Sequence, residues 1–261
     1  GGGEMGLTLW PVPGKAKSKL ICNAFAAGAP KSAKGSVFFG TEGVMSAFQK
    51  AKAKAAAGQE PFFYLDNSYF DKHRGIYFRV TKNALQIDPR GRTSTGERFA
   101  KLNVPIKPWR DPLGEDTLLC PQSDDFMKST LGMKDYDWTR EVRSIINTYD
   151  RPDLPVRVRH WNRDKLKAAV VLEHELPHCR LVISHSSSAS ITAMLEGVPS
   201  ISTGPTAAAY HLTGPLTRES FIDPPKPSYD ERYQFASVLA DGQFTLSEFS
   251  TGVAWKWLEK Q

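Results

Sequence analysis

The chain has 261 residues, which is enough for one large domain or two small ones with their own hydrophobic cores. Hydrophobic residues make up 40% of it and aromatic residues 11%, and this composition excludes a disordered chain. No apolar run approaches the roughly 20 residues that cross a bilayer, so we expect no membrane span. The formal net charge of +6 favours a polyanionic partner, although many enzymes of phosphorylated small molecules are equally basic.

The first half of the chain is predicted to contain strands and one clear helix. In order, the expected elements are an apolar strand beginning at residue 18, a strand at 35–40, an alanine-rich helix at 41–58, and strands at 61–70 and 75–83. The Gly-, Pro- and Arg-rich stretch from 87 to 116 has no clear periodicity and is interpreted as a long irregular connection.

From residue 116 onward, strands and helices alternate with short connections. The expected strands are 116–123, 155–161, 180–185 and 198–202, and the expected helices are 138–149, 162–177, 187–197 and 244–261. This alternation predicts parallel sheets covered by helices on both faces. We therefore predict an α/β protein of two small Rossmann-like lobes with parallel sheets, at 1–120 and 121–245, with a C-terminal helix at 246–261 that docks on the body.

A polar turn joins the apolar strand 180–185 to the helix that follows it. The turn is formed by His185, Ser186, Ser187 and Ser188. Ligands of open parallel sheets bind beyond the carboxyl ends of the strands, and a helix N-terminus offers unpaired N–H groups and a partial positive charge. We therefore expect a phosphate group as the ligand of this turn. The alternative is that one serine caps the helix and the others fill space.

The stretch 155–203 resembles the donor-nucleotide half of GT-B glycosyltransferases, in which a strand, a Ser/Thr-rich turn and a helix are followed by a G-x-P element. Gly197 and Pro199 match that element, and Ser187 and Ser188 match the phosphate-binding turn. The resemblance implies a GT-B-like fold with an abbreviated acceptor lobe at 1–120. It also implies that the lobe at 121–245 binds the nucleotide sugar.

The resemblance implies roles for several further residues of the donor site. Arg159 and Arg163 occupy the basic strand end that faces the donor phosphates, and His185 and Ser186 of the polar turn are expected to bind the same phosphates. A glutamate inside the helix often holds the ribose in such enzymes. Here Glu196 is the candidate, although Thr192 stands nearer the matching position.

The implied reaction transfers a sugar from a nucleotide-diphosphate donor to a hydroxyl, with no obligatory cofactor and no metal site. Asp66, which ends an apolar strand among polar residues, is the candidate catalytic base, and Asp71 is the fallback. An Asx turn is the alternative role for Asp66.

The stretch 35–83 resembles bacteriophage proteins encoded near DNA-modification genes. That resemblance, with the aromatic residues that lie beside basic ones in the first half, leads us to favour a hydroxymethylated pyrimidine base in phage DNA as the acceptor. The candidate acceptor residues are Asn67, Tyr69, Arg79 and Lys82. These aromatic residues are equally interpretable as core.

Two other functions stay open. One is a glycosyltransferase that acts on a glycan or small acceptor, and the other is a non-catalytic protein that binds a nucleotide or sugar nucleotide. We expect a cytoplasmic location, in a bacterial host if the chain is phage-encoded. The three cysteines Cys22, Cys120 and Cys179 are expected to be reduced and buried.

Overall fold

The fold consists of two compact α/β units. A computed structural model describes residues 6–159, 171–186 and 188–261, without the side chains of 124 and 125. Unit 1 comprises Gly1–Ile87, Ser94–Leu102 and Ser237–Gln261, and unit 2 comprises Asp88–Thr93 and Asn103–Ala236. The prediction of an α/β protein with two lobes is confirmed.

The described elements are numbered here in chain order. Those up to residue 102 are β1 (Leu7–Trp10), α1 (Ala16–Gly28), β2 (Gly35–Phe39), α2 (Met45–Ala56), β3 (Phe62–Asn67), β4 (Tyr77–Lys82) and α3 (Glu97–Leu102). Those from 116 to 241 are β5 (Asp116–Leu119), α4 (Asp124–Leu131), α5 (Asp135–Asn147), β6 (Val156–Val158), α6 (Leu172–Glu175), β7 (Cys179–Ser184), α7 (Ser188–Leu195), β8 (Ser200–Ser202), α8 (Tyr210–Thr213), α9 (Arg218–Ile222) and α10 (Tyr229–Asp241). The last are β9 (Gln243–Thr245), α11 (Leu246–Ser250) and α12 (Val253–Glu259).

The sheet of unit 1 has the strand order β1-β2-β3-β4-β9 and is mixed. β1, β2 and β3 are parallel, whereas β4 pairs antiparallel with both β3 and β9. The expectation of a parallel sheet in this lobe is therefore wrong for one strand, β4, which runs opposite to β1, β2, β3 and β9. The connection from β3 to β4 is short, and a short connection joins neighbouring strands only in the antiparallel direction.

The strand expected from residue 18 is part of the helix α1. Its buried residues are Ser18, Ile21, Cys22 and Phe25, and their spacing of three and four residues places them on one helical face. Ile21, Cys22 and Phe25 belong to one hydrophobic core cluster that also contains Phe63 and Phe249. The C-terminal end of α1 approaches α11 so closely that a Cβ on Gly28 would lie 1.8 Å from Phe249 O, so only glycine fits there.

The unit boundaries differ from the segments expected from the sequence. β5 lies within the expected first lobe at 1–120, but it pairs with β6 and β7 and so belongs to unit 2. The final segment contains the strand β9 and two short helices instead of a single helix, and it lies in unit 1. The stretch 87–116 contains the helix α3 within its otherwise irregular course.

The sheet of unit 2 has the order β6-β5-β7-β8, and its described strand pairs are all parallel, as predicted. Every residue of β7 is buried, since helices cover both faces of a parallel sheet. α7 is apolar almost all round, with six of its eight residues buried, which marks it as a central helix. Because the strands are parallel, their carboxyl ends lie at one edge of the sheet.

Two further expectations concern the cysteines and the membrane. The three cysteines are free and buried, as predicted. Burial raises the pKa of the Cys22 and Cys120 thiols to about 12 and that of Cys179 to about 11, so all three are protonated at neutral pH. Across residues 6–159, 171–186 and 188–261, no helix combines the length and apolar character that a membrane crossing requires.

Candidate functional site

The candidate site lies at the carboxyl edge of the parallel sheet in unit 2. Because β5 and β7 are neighbours and β8 flanks β7, the turns after these strands meet at this edge. The turns carry Gln122 after β5, His185 and Ser186 after β7, and Thr203 after β8. Ligands of open α/β sheets bind beyond this edge.

Part of the serine-rich sequence holds α7 against the sheet and does not face a ligand. Ser184 and Ser190 are fully buried, with their Oγ atoms 2.6 Å apart. Ser200 Oγ donates to Ser190 O at 2.9 Å. These bonds satisfy hydroxyls that would otherwise be costly to bury, and they fix the angle at which α7 leaves the turn.

Ser186 is tied to a residue that the sequence analysis missed. Both its backbone N and its Oγ donate to Gln122 Oε1, at 3.3 and 3.2 Å. Gln122 lies three residues after the end of β5, and the next residue, Ser123, caps α4 by accepting from Phe126 N at 3.4 Å. The sequence does contain a signal for Gln122: the polar pair Gln122 and Ser123 follows the apolar strand 116–120, just as the polar turn follows β7.

His185 is buried, and its imidazole is held by one hydroxyl. Nδ1 lies 3.2 Å from Thr203 Oγ1, which also accepts a hydrogen bond from Trp138 Nε1 at 3.3 Å. A Cβ on Gly204 would lie 2.7 Å from His185 Cε1, so glycine leaves the room that the ring occupies. Burial lowers the pKa of His185 from 6.5, so the ring is neutral at pH 7.

The tautomer of His185 depends on the direction of the contact with Thr203. When the Thr203 hydroxyl donates to Nδ1, the imidazole proton lies on Nε2, and when Nδ1 donates to Thr203, Nε2 is an acceptor. Nε2 has no hydrogen-bond partner among the residues that the structure describes. In the first tautomer the neutral ring is a hydrogen-bond donor beside the N-terminus of α7.

The other predicted phosphate ligands are placed as follows. Ser188 is the first residue of α7, while Ser187 and Arg163 lie outside the described residues. Arg159 follows β6, and its Nε lies 2.8 Å from Glu175 Oε2. The Arg159 guanidinium is thus partly neutralised by a carboxylate of its own chain.

The structure gives Glu196 a different role from the ribose contact. It directly follows the last residue of α7, so the whole helix separates it from the turn at His185. Its Oε2 accepts from Lys107 Nζ at 2.6 Å and lies 3.8 Å from Arg110. An eight-residue helix is about 12 Å long, so Glu196 lies at the opposite end of α7 from the turn, with its carboxylate paired to cations of its own unit.

Asp66, the candidate base, lies in unit 1 at the end of β3. Its Oδ2 accepts from Tyr64 Oη at 3.0 Å and from Arg79 at 3.2 Å, and its Oδ1 accepts from Asn67 N at 2.7 Å. Its side chain is 25% exposed. A carboxylate has about four acceptor sites, so one remains for a further proton donor. The fallback, Asp71, is paired with Arg74.

Two of the four predicted acceptor residues are buried. The Arg79 guanidinium lies over the rings of Tyr64 and Tyr69, 5.7 and 4.9 Å from their centroids, and donates to Leu85 O. Tyr69 Oη donates to Gln86 Oε1 at 2.8 Å. These two side chains build the interior of unit 1 and do not present a surface to a polyanion. Asn67 and Lys82 are exposed.

The fold and the site define an α/β protein with a polar turn at the carboxyl edge of a parallel sheet. No family model matches the chain, and no curated protein matches it. Among solved structures, the chain is similar to "Thermosulfurimonas dismutans KpsC, beta Kdo 2,4 transferase". The identity is 15% over 92% of this chain and 91% of that chain, with a TM-score of 0.45. A similarity of this size carries no inference about substrate or activity.

Proposed function

We propose that the chain is a glycosyltransferase that binds a nucleotide-sugar donor at the carboxyl edge of the unit 2 sheet. The carrying observation is the turn after β7, where neutral His185 lies beside the N-terminus of α7 with Nε2 unoccupied by the described residues. The N–H and hydroxyl of Ser186 are held by Gln122, so the groups proposed to meet a phosphate are the His185 ring and the positive end of the α7 dipole, which begins at Ser188. The pattern of the turn, α7 and the Gly197–Pro199 element supports the GT-B resemblance.

In this proposal the turn stabilises the leaving phosphate of the donor. Breaking the bond to the sugar leaves negative charge on the phosphate oxygens, and donors already aimed at that position lower the barrier. A neutral imidazole donates one hydrogen bond from Nε2, and no positive charge has to be buried on the ring for it to do so. The dipole of α7 acts in the same direction.

Asp66 is proposed to accept the proton of the acceptor hydroxyl. Its carboxylate is oriented by Tyr64, Arg79 and the Asn67 backbone, and its partial exposure leaves it reachable. Deprotonating the hydroxyl as it attacks the sugar carbon is the role that general-base catalysis requires.

For the acceptor we propose a hydroxymethylated pyrimidine base in DNA. The charge distribution supports this: unit 1 contains 16 Lys and Arg against 9 Asp and Glu, while unit 2 contains 18 against 19. The net charges of +7 and −1 account for the total of +6, so all of the excess positive charge lies in unit 1. A basic unit favours a phosphodiester partner.

The first experiment measures thermal stability against a panel of nucleotides and nucleotide sugars. A donor at about 100 times its Kd should add roughly 2.7 kcal/mol to the free energy of unfolding. The double variant Ser187→Ala/Ser188→Ala should weaken that donor's binding by about 1–3 kcal/mol, because hydrogen bonds to a charged phosphate are lost. Ser250→Ala, an exposed serine of α11, is the control. Absence of a shift with every compound contradicts the proposal.

A second candidate function is a non-catalytic protein that binds a sugar nucleotide. The observation that favours it is the Asp66 carboxylate, which already accepts from three donors of its own unit. Sugar transfer to hydroxymethylated DNA, to a glycan or to a small acceptor separates the two functions. Donor binding without transfer to any of them, unchanged by Asp66→Ala, supports the binding protein.

A further inference from the structure

A groove on unit 1, separate from the Asp66 cluster, lies between the edge strand β1 and the helix α2. It has a volume of about 480 Å³ and is lined by Trp10, Ser36, Val44, Lys50 and Lys54, with small residues of α2 and its preceding turn between them. That volume is within the roughly 300–1,000 Å³ of ligand sites. No role described above uses any of these residues.

Trp10 gives the groove a fixed aromatic wall. Its ring stacks on the buried Phe38, with centroids 6.4 Å apart and an interplanar angle of 9°. Trp10 nevertheless remains 37% exposed. One face of the indole is thus anchored by the core while the rest is open, so a flat ring can stack on it with little loss of side-chain entropy.

Two lysines give the groove its charge. Lys50 and Lys54 are four residues apart on α2, so they lie on the same helical face, one turn from each other. Met45–Ala56 contains three lysines and no acidic residue. The nearby Glu60 lies 3.8 Å from Lys54 with both side chains well exposed, and such a pair neutralises little charge in water.

Small residues lie between these groups. Gly43, Ala47 and Ala51 bring no side chain longer than a methyl group into the groove, and Val44 and Ser46 complete its lining. An occupant with a planar ring can therefore lie against α2 while its negative groups reach the lysines. Lysine is a point charge without the geometry of a bidentate contact, which suits a repeated phosphate backbone without base-specific recognition.

We propose that this groove binds a short single-stranded nucleic-acid segment, with a base stacked on Trp10 and phosphates beside Lys50 and Lys54. Aromatic stacking platforms in a basic groove are the usual means of holding single strands without sequence preference. The net charge of +7 on unit 1 also favours binding of a negatively charged nucleic acid. The inference does not require sugar transfer, but it deepens the DNA acceptor proposed above by giving the strand a second place of contact.

The test is the affinity of the full chain for a labelled single-stranded oligonucleotide, measured by fluorescence anisotropy at several salt concentrations without any nucleotide sugar. Lys50→Gln/Lys54→Gln should weaken binding. It should also make the slope of log K against log salt less steep by about 1.4, since roughly 0.7 is expected per single-strand phosphate. Trp10→Ala should weaken binding about tenfold, and Trp10→Phe should keep most of it.

Lys52→Gln is the matched control, because Lys52 is an exposed lysine of the same helix that lies outside the groove lining. Equal losses from Lys52→Gln and from Lys50→Gln would overturn the proposal in favour of diffuse charge. Oligonucleotide binding that is unchanged by Trp10→Ala would also overturn it. So would a chain that binds an acidic glycan through Trp10 but does not bind the oligonucleotide. The nucleotide-sugar stability shift should be unchanged in all these variants, so failure of the groove is distinguishable from failure of the donor site.

Discussion

Thr203 Oγ1 lies 3.2 Å from Nδ1 of His185, and this contact decides how the candidate donor site presents its imidazole. The two residues are 18 positions apart and follow neighbouring strands. Thr203 also accepts from Trp138, and we expect its own proton to be donated to His185 Nδ1. A phosphate at the turn would then meet the Nε2–H of a neutral ring.

Thr203→Val should remove the hydroxyl that sets the His185 tautomer. We expect wild-type His185 to carry its proton on Nε2, and the variant to show a mixture of tautomers. Donor affinity should fall by about 0.5–1.5 kcal/mol, the usual contribution of one neutral hydrogen bond. Imidazole ¹⁵N chemical shifts measure the tautomer directly. Thr203→Ser keeps the hydroxyl and should resemble wild type; equal tautomer ratios in the valine and serine variants would contradict this role.

Gly204→Ala should displace the His185 ring, because the added Cβ would lie 2.7 Å from Cε1 and 2.8 Å from Nε2. We expect donor binding to weaken by about tenfold or more, together with a loss of stability of about 1–3 kcal/mol from overpacking. Isothermal titration and chemical denaturation measure the two effects. Gly6→Ala, where a Cβ meets nothing within 4 Å, should change neither. A Gly204→Ala chain that binds donor normally would show that the position of the ring is unimportant.

The buried His185 should make the folded state less stable in acid. Its folded pKa lies below the unfolded value of 6.5, so the unfolded chain takes up a proton first as the pH falls. Stability from this residue is complete above pH 6.5 and is lost as the pH falls from there through the lower folded pKa. Denaturation midpoints at pH 5 to 8 should therefore fall less steeply for His185→Asn than for wild type. Parallel curves of midpoint against pH for the two proteins would exclude His185 as the origin of the acid sensitivity. Burial also lowers the pKa of His211, but this residue is present in both proteins and so contributes equally to the two curves.

Arg79→Met should destabilise unit 1 by about 3–5 kcal/mol, because it leaves the Asp66 carboxylate without its buried cation. Only 6% of the Arg79 side chain is exposed. Lys82→Met, on the same strand but exposed, should change stability by less than about 0.5 kcal/mol. Urea denaturation compares the two. If Arg79 were a surface contact for a polyanion, both variants would be equally stable and both would lose DNA affinity.

The strand–helix order and the polar turn after β7 were predictable because they rest on local patterns. The apolar strand 180–185 and the helix after it differ sharply in periodicity, and His185 with its serines stands between them. The same local reasoning failed for α1, where Ile21, Cys22 and Phe25 have helical spacing but were interpreted as the continuation of a strand.

Which polar side chains face a ligand was decided by tertiary structure alone. Arg79 and Glu196 are charged residues beside recognisable elements, and both are committed to partners that lie distant in the sequence or across a strand pair. Gln122 and Thr203 meet the turn after β7 only because their strands neighbour β7 in the sheet. By itself, the sequence determined the α/β class and the place of the turn, since hydrophobic periodicity is a local property. The tertiary structure decided the partners of each polar group, because a buried charge or hydroxyl must be satisfied by whichever strand the fold brings beside it.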